Sequence, residues 1–186
     1  KAYAQIQHYG YIVSGEFTRG HGRSRGIYSN ANERDRVKAL QLYLEALKLG
    51  RAKIAAGVAI PKKHFVSLYL ATASSLVYAR AGGGAWLLTG LSDLSKLPDY
   101  QRGYSYHNGQ MQWAPVSKEN KPVFHAIPTT FETAKNDGER WRWLIAQAKE
   151  YAEESDKRAD WEMINFAKAQ FGVQTMARYG AAIFDA

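Results

Sequence analysis

Apolar side chains fall into helical stripes over two stretches of this chain, and the periodicity is lost between them. In Asn30-Ala-Asn-Glu33 a short polar acceptor is followed three residues on by Glu, and Val37, Leu40, Leu44 and Leu47 then return on one face. That spacing predicts an amphipathic helix opened by a capping box, with Gly50 as its stop. Pro61 suits the first turn of a second helix. Its buried face is Phe65, Leu68, Tyr69, Thr72, Leu76 and Ala79, and Gly82-Gly83-Gly84 closes it. Further on, Thr129-Thr-Phe-Glu132 reads as another capping box, and Asn136-Asp137-Gly138 breaks or restarts the helix behind it. Trp141, Leu144, Ala148 and Tyr151 or Ala152 make a third stripe, then Trp161, Ile164, Ala167 and Phe171 a fourth, ended by Gly172. The turn at Ser155-Asp156 between them is short, which predicts an antiparallel pair.

The remainder is less regular. Tyr3, Ile6 and Tyr9 are spaced like the end of a helix. Residues 11–13 are β-prone and can pair with residues 27–28 across a glycine-rich exposed loop, as a small hairpin. Leucines at 88, 91, 94 and 97 predict a short helix with a 3₁₀-like end over residues 86–97. Residues 98–128 hold four prolines and scattered aromatics, which predicts an Ω-type loop packed on the body, with a hairpin possible at Asn108-Gly109. The fold class expected is mainly α: a single helical domain, or a fragment of a longer chain, over 1–186, built of antiparallel helical hairpins near 33–80 and 139–171, stacked like helical repeats or gathered in an irregular bundle, around an aromatic-rich irregular insert at 98–128.

Composition adds limits. Aromatics at 13% supply a large core and argue against disorder. With no cysteine in the chain, a disulfide framework, a thiolate zinc site, a cysteine nucleophile and a thioester are excluded within these residues. No apolar run approaches the ~20 residues of a membrane span. The chain opens on Lys1 without a signal-peptide pattern, which suggests a piece of something longer.

The net charge of +8 is uneven. Residues 1–63 hold 12 Lys/Arg against 4 acids, and residues 64–186 hold 13 against 13. The excess points to Arg19-Gly-His-Gly-Arg-Ser-Arg25 and the helix start behind it. Arg19, Arg23, Arg25, Arg34 and Arg36 offer bidentate donors to a phosphate, sulfate or carboxylate, with His21 among them. Glycines there open the backbone N–H groups to an anion. The plainer alternative is that these arginines pair with the chain's own acids. The loop has neither dinucleotide nor phosphate-loop spacing, and it lacks the interleaved aromatics of a single-strand platform.

The five histidines form no HxxxH, HExxH or HxH pair, so no metal ligand set is local in sequence. The acids at 153–156 and at Asp160/Glu162 read as solvated helix ends, and no serine lies in GxSxG. Trp141 and Trp161 lie on apolar stripes and are expected in the core; Trp143 falls off its stripe and is expected to meet the insert or a partner. No cofactor is implied.

Five segments carry a family resemblance: Gly10-Tyr-Ile-Val-Ser-Gly-Glu-Phe17, Glu33-Arg-Asp-Arg-Val-Lys-Ala-Leu-Gln-Leu-Tyr43, Leu91-Ser-Asp-Leu-Ser-Lys-Leu-Pro-Asp-Tyr100, Asn136-Asp-Gly-Glu-Arg-Trp-Arg-Trp143 and Phe171-Gly-Val-Gln-Thr-Met176. Together they resemble the helical N-terminal region of large bacterial alpha-2-macroglobulin-like proteins. The resemblance implies a tetratricopeptide-like portion of a secreted, periplasmic or envelope protein of protease-trapping type. The family's bait segment and thioester have no counterpart here, so no functional residue carries over. The function expected is therefore a non-catalytic interaction or scaffold segment, contacting other domains of the same longer chain or protein partners. The alternatives are a polyanion- or nucleic-acid-binding module in the first 63 residues, and an enzyme assembled from His107, His125 and Glu139.

Overall fold

The computed structural model describes residues 6–20, 26–77, 88–103 and 124–171. Among them 53% are helical and 12% lie in strands, so the fold is mixed α/β and the mainly helical expectation is corrected. The elements run β1 (Tyr9–Val13), β2 (Glu16–Arg19), β3 (Ile27–Asn30), α1 (Asn32–Ala55), α2 (Lys62–Val77), β4 (Gln101–Arg102), α3 (Asp137–Tyr151) and α4 (Arg158–Phe171). The chain divides into two compact units, Lys1–Leu42 with Asp93–Gln110 and Tyr43–Ser92 with Met111–Ala186.

The first unit carries an antiparallel sheet of order β2-β1-β3-β4. Residues 11 and 12 do pair with 28 and 27. Two strands are missed, β2, taken for exposed loop, and β4, inside the expected insert; Tyr9, spaced like a helix end, opens β1. Ser14 and Gly15 both have positive φ (51° and 87°) between the paired Val13 and Glu16. Two such residues make a type I′ hairpin turn, whose twist matches that of the strands. Gly10 is required in β1, because a Cβ there would lie 2.1 Å from the Thr18 carbonyl oxygen. Val37 and Leu40 are buried as expected.

The second unit is built on α2 and α3. Phe65 stacks on Tyr151 with centroids 4.9 Å apart, and Tyr69 meets Trp143 edge-on at 6.1 Å, an antiparallel register. Trp141 meets Phe166 at 4.1 Å and Lys149 pairs with Asp160 at 2.5 Å, so α3 and α4 also run antiparallel.

Helix ends depart from expectation at three points. α1 passes through Gly50 and stops at Gly57 (φ 82°), where Gly57 N donates to Ile54 O and Val58 N to Lys53 O, each at 2.9 Å. This is a Schellman motif. Gly50 instead allows close approach of α2, since a Cβ there would lie 2.8 Å from Phe65 Cζ. Residues 129–134 form turns held by mutual Thr130–Thr133 hydrogen bonds. The helix opens later, with Asn136 accepting from Glu139 N at 2.8 Å and Glu139 accepting from Lys135 N at 2.7 Å. Finally, residues 90–100 are irregular and not helical. Their backbone is held by side chains: Gln41 donates to Leu94 O, Arg34 to Pro98 O, and Asp93 accepts from Ser95 N. The expected stops at Gly82–84 and Gly172 and the Asn108-Gly109 turn lie outside the described residues.

Gly50→Ala separates the two readings of that residue. Helix propensity alone predicts a gain of about 1 kcal/mol. The packing predicts a loss of about 1–3 kcal/mol through overpacking against a buried ring, measured as a lower urea midpoint.

Candidate functional site

Two polar clusters, one in each unit, gather the groups capable of chemistry. In the first, Asp35 sits in the first turn of α1 with its side chain 3% exposed. Arg19, at the end of β2, forks onto it, Nη1 to Oδ2 at 2.7 Å and Nη2 to Oδ1 at 2.6 Å. His8 Nδ1 lies 2.8 Å from the same Oδ2. Arg19 also donates to Gln7 O, and Ala31 N donates to His8 O at 2.7 Å. Taking a carboxylate out of water is costly unless it is paired this fully, and its place in the first turn of a helix lowers that cost.

The expected anion site is distributed differently from its sequence order. Arg36 is buried and bonds Glu33 through Nε at 3.0 Å and Nη2 at 2.8 Å. Arg34 donates to Pro98 O at 2.9 Å, with its guanidinium 4.9 Å over the Tyr100 ring. Arg19, Arg34 and Arg36 therefore each make internal bonds. His21, Arg23 and Arg25 lie outside the described residues.

In the second unit Asp137, fully buried, accepts from Ser92 N at 3.1 Å, from Ser92 Oγ and from Arg140 Nη1 at 3.1 Å. Its own backbone N–H donates to Gly90 O, while Arg140 donates to Ser92 O. This knot ties residues 90–92 to the start of α3. Spacing gives no signal for it, because Ser92 and Asp137 are 45 residues apart.

His125 is buried with its ring against the Gly138 backbone, where a Cβ would lie 2.3 Å from the imidazole carbons. Burial holds the ring below the usual histidine range; the Glu139 carboxylate opposes this and Arg142 adds to it. Glu139 is occupied in the helix cap, and His107 lies outside the described residues. Tyr69, also buried, is pushed up by burial against the opposing effect of Arg51, which donates to its hydroxyl at 3.0 Å.

Trp141 is in the core as expected, whereas Trp143 and Trp161 exchange their expected places. Trp141 and Trp143 are both buried, Trp143 against Tyr69 and Phe131. Trp161 is exposed, as is Ile164. The face of α4 turned inward carries Ala159 and Phe166 instead. Among the described residues no group of His, Asp or Glu is placed to hold a metal ion, and no helix is long and apolar enough to cross a membrane. No family model, curated protein or solved structure matches the chain.

Two outcomes follow from these clusters. Asp35→Ala leaves two donors without their acceptor and lowers stability by about 3 kcal/mol, the scale for breaking a buried pair, as read by urea unfolding. For His125 the folded value is depressed, so the neutral ring is the native form. Below the ordinary value of about 6.5 the unfolded chain takes up a proton that the folded chain resists. Stability is then lost as pH falls from there through the folded value. His125→Gln should flatten that slope, and an unchanged slope would refute the assignment.

Proposed function

We propose that this chain is a non-catalytic protein-interaction segment that presents the outer face of α4 to a protein partner or a neighbouring domain. The observation that carries this is the exposure of Trp161 (62%) and Ile164 (56%) three residues apart on one helix. Tryptophan is the residue type most enriched at binding hot spots. α4 has a second apolar stripe, through Ala159 and Phe166, and that stripe makes the internal packing. The outer pair is therefore not needed to hold α4 in place. The engagement of Asp35, Asp137 and Glu139 in ion pairs and caps further supports a non-catalytic reading. The resemblance to the macroglobulin-like helical region, proposed on sequence grounds, suggests a larger secreted or envelope protein as the setting.

A photo-crosslinking residue at position 161 tests the reading in the protein's native extract. The expected result is a discrete crosslinked partner peptide, lost in Ile164→Asp while the thermal midpoint of that variant stays within about 2 °C of wild type. Crosslinking that is diffuse, or indifferent to Ile164→Asp, would refute the assignment of this face.

A further inference from the structure

The turn joining α1 to α2 has an unusual surface. From Arg51 to His64 every residue is exposed except Ile60, which is half-buried. The last turn of α1 is thus exposed all round, so the segment projects from its own unit. Its tip is apolar: Ile54-Ala-Ala-Gly-Val-Ala-Ile-Pro61, with Ile54 40% and Val58 49% exposed. Cations flank the tip on both sides, Lys48 and Lys53 before it and Lys62 and Lys63 after it, and no acid occurs between residues 46 and 66. No ion pair involves these four lysines among the described residues. They are four of the twelve cations of residues 1–63, among which Arg19 and Arg36 are paired with acids.

The tip is held in one shape. The Schellman bonds to Ile54 O and Lys53 O close the end of α1. Arg51 anchors that end by bonding the buried Tyr69 hydroxyl and lying 5.2 Å over the Trp143 ring. The first turn of α2 holds two lysines and no acid, which opposes the helix field unless an anionic surface is near.

We propose that this turn docks the protein onto anionic lipid bilayers. Ile54, Val58 and Ile60 enter the boundary between headgroups and acyl chains. Lys48, Lys53, Lys62 and Lys63 bind the headgroup phosphates and carboxylates. Aliphatic side chains beside cations on long stems suit this boundary, because the stems lie along apolar surface while the charges stay wet. Clustered lysines next to an apolar insertion read as acidic-lipid binding. Nucleic acid is the less fitting polyanion: residues 48–63 contain no aromatic ring on which a base could stack.

Sedimentation with phosphatidylcholine vesicles, with and without phosphatidylserine, tests the proposal. The full chain should bind only the serine-containing vesicles, and binding should weaken steeply between ~50 mM and ~1 M salt as the Debye length shrinks. Lys62→Gln and Lys63→Gln should each weaken binding about fivefold. Ile54→Ser with Val58→Ser should weaken it about tenfold. These positions are exposed, so circular dichroism and thermal midpoint should stay at wild-type values. The chain has no cysteine, so Val58→Cys accepts a single environment-sensitive fluorophore, whose emission should shift blue on the anionic vesicles. No sedimentation at ~50 mM salt, where such contacts are strong, would overturn the proposal. Equal binding by the lysine variants, or an unshifted label on vesicle-bound protein, would do the same. A label that responds to single-stranded RNA and not to vesicles would assign the turn to nucleic acid instead.

Discussion

A carboxylate taken out of water must be fully partnered, and two such groups organise this protein. Asp35 and Asp137 each occupy the first turn of a helix, α1 and α3, and each is nearly or wholly buried. The helix field lowers the cost of the charge, and an arginine with further donors completes it. At Asp35 the partners come from β2 and from the segment before β1, so the sheet is joined to its helix. At Asp137 they come from Ser92 and from Arg140 one turn on. In each case one acid fixes a stretch of chain remote in sequence, which raises the cost of losing it well above that of a surface ion pair.

The same logic accounts for the irregular segments. Backbone groups that leave helix and sheet still need partners. Between Gly90 and Gly103 they find them in Asp137, Gln41, Arg34 and Asn30, the last donating to Gly103 O at 2.9 Å. This stretch can stay irregular because polar side chains around it supply bonds that a helix would have made internally. Leucine spacing at 88–97 carried no information about those partners, and of the helix it predicted only a 3₁₀ turn at residues 88–89 is present among the described residues.

Arginine placement shows how charge in sequence differs from charge on a surface. The cluster at 19–25 with Arg34 and Arg36 holds five arginines within 18 residues. Its described members are turned to Asp35, to Pro98 O and to Glu33. The lysines of the α1–α2 turn, by contrast, are exposed with aliphatic side chains between them. Guanidinium forks favour fixed internal acceptors, whereas a solvated ammonium on a flexible stem is left outside.

The four long helices, the buried stripes of α1 and α2 and the pairing of residues 11–12 with 27–28 were legible in the sequence. Apolar periodicity and β-propensity act locally, over the same few residues that form each element. What only the tertiary structure decided are choices between locally equivalent options. Gly50 and Gly57 are both plausible helix stops, and packing against Phe65 keeps the first inside α1. Asn136 and the threonines at 129–130 are both plausible caps, and burial of Asp137 selects the first. α4 has two apolar stripes, and contact of Phe166 with Trp141 turns one inward and leaves Trp161 out. Each choice depends on a partner distant in the chain, and periodicity within one helix holds no information about that partner.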